Sequence, residues 1–184
     1  SIGNFLSVGG YCFDNDNLLF ENDVIYGHDF ENIESFDEHK ITEEVERSWY
    51  KDDEPYYTDL NEDGTLKTAK ADDKYSWIKA PRYDGKTMES GPLARVLISY
   101  KQGNRFIKPF VDEFLTFCDL ELLDLSSTVG RNAARAIETA YISEYIFKFI
   151  NSLVENIKYY DTETWTKYTF ESLPKEVKGR IFFE

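Results

Sequence analysis

Near the N-terminus apolar residues cluster in two short runs, Phe5, Leu6, Val8, Tyr11 and Phe13, then Leu18, Leu19, Phe20, Val24 and Ile25. Between them lies Asp14-Asn15-Asp16-Asn17, whose side chains favour a turn. The pattern predicts strands over 5–13 and 18–26 joined as an antiparallel hairpin, with Gly9-Gly10 as a bulge or close approach. The period then changes. Ile41, Val45 and Trp49 recur at four-residue steps, which predicts a helix over 38–49 capped by Asp37. A polar, acidic stretch over 51–73 holds Pro55 and Gly64 and few aliphatic residues, so it reads as a surface loop.

From Lys74 the chain reads as extended, because Pro81 forces Ala80 out of the helical region. Ser90-Gly91-Pro92 opens a helix, with Ser90 as cap and Pro92 in the first turn. Leu93, Val96, Leu97 and Tyr100 supply its stripe and Gly103 stops it. A further helix is expected from about Phe106 to Cys118, with Val111, Phe114, Leu115 and Cys118 inward. The longest element starts near Ser126 or Ser127 and reaches Lys158. Its expected stripe is Ala133, Ile137, Ala140, Glu144, Phe147, Ile150 and Val154. About 30 helical residues span roughly 45 Å, too long for a small globule unless the helix packs against something large. Arg131, Arg135 and Glu138 lie on adjoining turns and suggest a buried or interfacial charge network. After 161 the chain turns irregular, with a short strand at Arg180-Ile181-Phe182-Phe183. The expected class is α+β: mainly helical with one very long helix, an N-terminal antiparallel hairpin and a short C-terminal strand. Along the chain, 1–36 is β-rich, 37–50 helix, 51–73 acidic loop, 74–160 helical and 161–184 irregular.

Hydrophobic content of 41% and aromatic content of 16% favour a folded chain over disorder. A net charge of −14 disfavours nucleic acid and anionic membrane surfaces. No apolar run is long enough to cross a membrane, so no direct membrane insertion is expected. The chain starts at Ser1 without methionine or leader, which suggests an excised piece. Cys12 and Cys118 read as buried structural thiols. His28 and His39 fit no zinc spacing and read as surface or structural histidines. Asp59-Leu60-Asn61-Glu62-Asp63-Gly64 matches the opening of a calcium loop, but Lys70 stands where the bidentate glutamate belongs, so a solvated acidic loop is the better reading. The aromatic pairs Trp49-Tyr50, Tyr56-Tyr57, Tyr159-Tyr160 and Phe182-Phe183 read as core, or as interface.

Two blocks carry more information than any of these. The first runs from Lys74-Tyr75-Ser76-Trp77-Ile78-Lys79-Ala80-Pro81-Arg82-Tyr83 through Met88-Glu89-Ser90-Gly91-Pro92-Leu93-Ala94-Arg95-Val96-Leu97. The second is Ser127-Thr128-Val129-Gly130-Arg131-Asn132-Ala133-Ala134-Arg135-Ala136-Ile137-Glu138-Thr139. In order and spacing they resemble the large subunit of nickel–iron hydrogenases. The likeness extends over Phe5-Leu6, the Ile41-Thr42-Glu43-x-Val45-x-x-Ser48-Trp49-Tyr50 pattern and Tyr57-Thr58-Asp59, hence nearly the whole chain. Arg47 departs from the histidine that often precedes the Ser-Trp pair.

The resemblance implies a subunit whose nickel–iron centre splits hydrogen into protons and electrons, held by thiolates from an Arg-x-Cys-Gly-x-Cys segment and an Asp-Pro-Cys-x-x-Cys-x-x-His segment. Neither segment occurs here, and neither cysteine matches a ligand. The family's Ala-Pro-Arg-Gly segment would follow directly after Phe183-Glu184. The expectation is therefore that 1–184 is an internal segment of a hydrogenase large subunit, inactive alone, with no catalytic and no cofactor-binding residue and no inner-shell metal ligand of its own. By resemblance, Glu43 and Lys79 are expected to hold outer-shell waters of a magnesium ion in the intact subunit; an ordinary salt bridge is the plainer reading. Expected partners are the iron–sulfur small subunit and the rest of the large subunit. Self-association through an apolar patch on the long helix is expected for the chain by itself. The intact enzyme is expected in the periplasm or on the outer face of the cytoplasmic membrane. The competing readings are a stand-alone acidic protein- or calcium-binding module, and a scaffold relative that lost its metal centre.

Overall fold

The computed structural model describes residues 3–9, 12–14, 17–49, 74–162 and 175–176. The acidic stretch over 51–73 and the expected C-terminal strand lie outside them.

Seven short strands and three α-helices are formed among the described residues. β1 (Phe5–Leu6), β4 (Asp23–Ile25) and β5 (Ile33–Ser35) make an antiparallel sheet in the order β1-β4-β5. β2 (Cys12–Asp14) and β3 (Asn17–Leu18) form the hairpin tip. The hairpin is therefore present, but interrupted. Ser7 explains part of the break: its Oγ donates to the Glu21 carbonyl at 2.7 Å and accepts from the Gly9 N–H, which replaces ladder bonds. Gly9 sits at φ 76, where an added Cβ would press on Leu18. The third strand, β5, was not expected from the sequence pattern.

The helix expected over 37–50 is not formed among the described residues. Asp37 does act as a cap, accepting from the His39 N–H at 3.0 Å, but it caps a single 3-10 turn, Glu38–Lys40. The chain then enters β6 (Ile41–Glu44), which pairs antiparallel with β7 (Ala80–Tyr83). The four-residue apolar spacing fits a helix, yet β-branched Ile41-Thr42 also suits a strand, and a partner 40 residues away in sequence decides the matter.

α1 (Pro92–Lys101) is the central element. Pro92 occupies its first turn as expected. Ser90 is not the cap. Gly91 takes that place at φ 104, a conformation a side chain would strain, and no side chain caps the helix. Leu93, Ala94, Val96, Leu97, Ile98 and Ser99 are all buried, so α1 is covered on nearly every side. It packs between the β1–β4 strands and the long helix. Gly103, at φ 77, closes it through its N–H to the Tyr100 carbonyl. Asn104 then starts α2 (Ile107–Cys118), its Oδ1 accepting from the N–H groups of Phe106 and Ile107, each at 3.0 Å. Val111 is buried, and Phe114 and Leu115 pack against the core. Cys118, expected inward, is exposed. The helix ends there, with Asp119 in the left-handed region, so the thiol lies beyond the core contact.

α3 (Thr128–Lys158) has 31 residues, which corresponds to about 45 Å. Ser127 caps it, its Oγ accepting from the Gly130 N–H at 3.0 Å. Its buried stripe is Gly130, Ala134, Ile137, Glu138 and Tyr141, one step off the expected Ala133–Ala140 row. Ala133 and Ala140 are only half-buried, and Glu144, Phe147, Ile150 and Val154 are exposed. Tyr141 anchors the helix across the molecule: its hydroxyl donates to the Leu19 carbonyl at 3.0 Å, and its ring meets Phe20 edge-on. Burial, with the Tyr145 hydroxyl as second cause, pushes the Tyr141 phenol far above its ordinary range.

Candidate functional site

The β6–β7 ladder carries the two residues that the sequence singles out. Its register sets Thr42 opposite Arg82, Glu43 opposite Pro81 and Glu44 opposite Ala80. Side chains alternate faces along a strand, so Glu43 meets Lys79 diagonally on one face, and Glu44 meets Arg82 diagonally on the other. The Lys79 Nζ to Glu43 Oε2 distance is 3.3 Å, and Arg82 Nε to Glu44 Oε2 is 3.2 Å. Lys79 is the better buried of the first pair, at 18% exposure against 34% for Glu43. The pair thus presents one carboxylate and one ammonium side by side, partly reachable by water. That arrangement accepts and donates hydrogen bonds to ordered water; a lone carboxylate next to a cation is a poor inner-shell metal ligand.

The entry to this ladder is held by backbone and aromatic contacts. The Trp49 N–H donates to the Ser76 carbonyl at 2.9 Å, and the Tyr75 N–H to the Arg47 carbonyl at 3.2 Å. The Trp49 indole N–H donates to the Lys74 carbonyl at 3.0 Å, and the Trp49 and Trp77 rings meet edge-on with centroids 5.0 Å apart. At its far end the Tyr83 hydroxyl accepts from the Asp37 N–H at 2.8 Å. The Ser48-Trp49 pair and the Lys-Ala-Pro-Arg segment, 25 or more residues apart in sequence, therefore form one unit.

The expected network of Arg131, Arg135 and Glu138 separates into two pairs with other partners. Arg131 binds Glu89 through two parallel bonds, Nε to Oε1 at 2.7 Å and Nη2 to Oε2 at 2.6 Å. Those bonds raise the guanidinium pKa further. Glu138, buried on α3, accepts from the Arg95 Nε on α1 at 2.7 Å, and Arg95 also lies over the Phe20 ring. Arg135 is exposed and donates to the Arg131 carbonyl. Glu89 and Arg95 both lie in the first signature block, so the two blocks quoted above are tied to each other by charge. Sequence spacing within one helix does not show which segment supplies the opposite charge.

Other candidates behave as structural groups. His28 is half-buried, its Nδ1 accepting from the Gly3 N–H at 3.3 Å and its ring meeting Phe5 edge-on at 5.5 Å. His39 is exposed beside Glu38. Among the described residues no three of His, Cys, Asp and Glu converge on a point that a metal ion could occupy. Cys118 stands exposed at the end of α2, and the Cys12 side chain lies outside the described part of the structure. One exposed thiol does not fit a centre that needs several convergent thiolates. The Asp59–Gly64 loop and the aromatic pairs at 56–57 and 182–183 lie outside the described residues, as does Tyr50. Tyr159 and Tyr160 are exposed. No helix among the described residues is long and apolar enough to cross a membrane.

Known proteins give the frame for this arrangement. The quinone-reactive Ni/Fe-hydrogenase large chain of Wolinella succinogenes is 33% identical over 98% of this chain and 34% of its own length. The uptake hydrogenase large subunit of Rhizobium leguminosarum bv. viciae is 40% identical over 83% of this chain and 29% of its own. A solved [NiFeSe] hydrogenase from Desulfovibrio vulgaris Hildenborough superposes with a TM-score of 0.62 at 30% identity, covering 82% of this chain and 32% of that one. The chain thus spans about a third of the length of the relatives it matches. The family model described as nickel-dependent hydrogenase matches residues 1–184 from end to end, and with the two signature blocks joined as the structure joins them, this chain belongs to that family.

Proposed function

We propose that this chain is the central portion of the large subunit of a hydrogenase that oxidises hydrogen and passes the electrons to an iron–sulfur small subunit. The observation that carries the reading is the end-to-end family match, on a scaffold in which both signature blocks are locked by the Arg131–Glu89 and Arg95–Glu138 pairs. The nickel–iron centre, when present in the intact subunit, supplies the splitting of hydrogen; its thiolates come from segments other than 1–184. The role of this chain is to position. Glu43 and Lys79 fit the outer shell of a magnesium ion, one accepting and one donating to water that the ion holds, and groups of this kind tune a site without touching the metal. The intact enzyme faces the periplasm or the outer side of the cytoplasmic membrane, and the chain by itself turns over no hydrogen.

The test is made in the full-length subunit assembled with its small subunit. Lys79→Met and Glu43→Gln should each lower hydrogen-dependent dye reduction by about 10–100-fold, with magnesium content falling and nickel retained. Wild-type activity and magnesium content in both variants would remove Glu43 and Lys79 from the site. Hydrogen oxidation by the purified 184-residue chain, or nickel bound to it one-to-one, would refute the division of labour.

A further inference from the structure

The β6–β7 ladder is a two-stranded arm. Among the described residues its strands pack chiefly on each other. Beyond Glu44, the contacts of Ser48 and Trp49 with Lys74 and Ser76 tie one side of the arm to its other side. At the opposite end lies Tyr83, the last residue of β7, paired with Ile41. Tyr83 is buried, yet it is not one of the residues that cluster around α1. Its side chain grips the segment between β5 and β6 instead. The ring stacks on Phe36 with centroids 6.0 Å apart. The hydroxyl accepts from the Asp37 N–H at 2.8 Å. The Lys40 Nζ lies over the ring, 5.9 Å from its centroid, and 3.6 Å from Glu34 Oε2 on β5. Next to it, the Asp84 N–H donates to the Lys40 carbonyl at 2.9 Å. Tyr83 therefore joins the arm to the three-stranded sheet.

We propose that Tyr83 is a positioning residue for the Glu43–Lys79 pair, acting through the hydrogen bond between its hydroxyl and the backbone of Asp37. The proposal rests on the assignment of that pair to the outer shell of a magnesium ion. Lys79 stands four residues from Tyr83 along an extended strand, about 13 Å at roughly 3.3 Å per residue. A rocking of the arm by about 5° around Tyr83 carries Lys79 about 1 Å from its place. Groups that hold a site must stay within about 0.5 Å of their working position. Ring stacking on Phe36 tolerates sliding of that size. A hydrogen bond at 2.8 Å does not, because it fixes a direction as well as a distance. The bond also fixes both strands at once: Tyr83 ends β7, and Asp37 caps the turn that leads straight into β6. Phenylalanine at 83 would fill the same space and lack only this bond.

The experiment is a magnesium titration of the full-length subunit assembled with its small subunit, after a chelator has removed the ion. Tyr83→Phe should raise the magnesium dissociation constant about fivefold, the factor expected for one lost hydrogen bond. Hydrogen exchange read by mass spectrometry should quicken over Ile41–Glu44 and Ala80–Tyr83 and stay unchanged over Pro92–Lys101. In a Lys79→Met background Tyr83→Phe should cost no further magnesium affinity, a pattern that a general loss of stability does not produce. Val111→Ala opens a cavity beside buried α2 and should lower stability while leaving the magnesium constant at its parental value. A parental constant in Tyr83→Phe, with Lys79→Met still weakening the ion, overturns the proposal. So does an undiminished further loss in the Lys79→Met background. A parental constant in Lys79→Met itself would instead remove the outer-shell reading, and the proposal with it.

Discussion

Gly130→Ala separates helix propensity from packing, because the two predict opposite signs. Gly130 lies in the first turn of α3, and alanine there favours the helix by about 1 kcal/mol on propensity alone. The glycine is nevertheless pressed against the 3-10 turn Leu122–Ser126 that precedes the helix. A Cβ would overlap the Cα, the carbonyl carbon and the carbonyl oxygen of Leu125, so backbone and not a flexible side-chain tip must move. That turn is not free to yield. Leu125 is fully buried, and a capping box between Glu121 and Asp124 braces the turn, with the Glu121 N–H on Asp124 Oδ2 at 2.9 Å. Overpacking of this kind costs about 3 kcal/mol or more, leaving a net loss of about 2 kcal/mol after the propensity gain. For a chain of this length that lowers Tm by roughly 4–8 °C. Urea unfolding followed by circular dichroism at 222 nm measures it, with Asn132→Ala, exposed on the same turn, as a control that should be neutral or slightly stabilising. A Gly130→Ala chain as stable as the parent, or more so, would refute the close approach of α3 to Leu125.

Arg95→Met removes the cation bonded to buried Glu138 and should cost about 3–5 kcal/mol, while Arg95→Met/Glu138→Leu should recover most of it; equal losses in both, by the same unfolding assay, would mean the pair does not act as a unit. Asp112 is held below its ordinary value first by the Tyr100 hydroxyl and then by Lys108. A carboxyl with a depressed folded pKa contributes stability above its unfolded value of 3.8, and that contribution is lost as pH falls through the folded pKa. Tyr100→Phe should therefore make the loss of stability below about pH 4 shallower; unfolding midpoints from pH 6 down to 2 that run parallel to the parent would count against the bond.

Local rules in the sequence located the three α-helices, because helix stops and caps are local signals, though the same rules also placed the false one expected over 37–50. Pro92, Gly103 and Ser127 act within a turn of their own positions, and their caps and stops do not depend on what packs nearby. The quoted blocks likewise identified the family, since order and spacing are properties of the chain alone. Tertiary structure decided what depends on a distant partner. Ile41–Glu44 became a strand only because 80–83 lies beside it, and that pairing is what brings Glu43 to Lys79. Arg131 and Glu138 found their opposite charges on Glu89 and Arg95, outside their own helix. Along α3 the apolar residues were visible in the sequence, but not that the buried stripe runs one step off the expected row. A helical period shows that residues share a face; only the packed neighbours show whether that face looks inward or out.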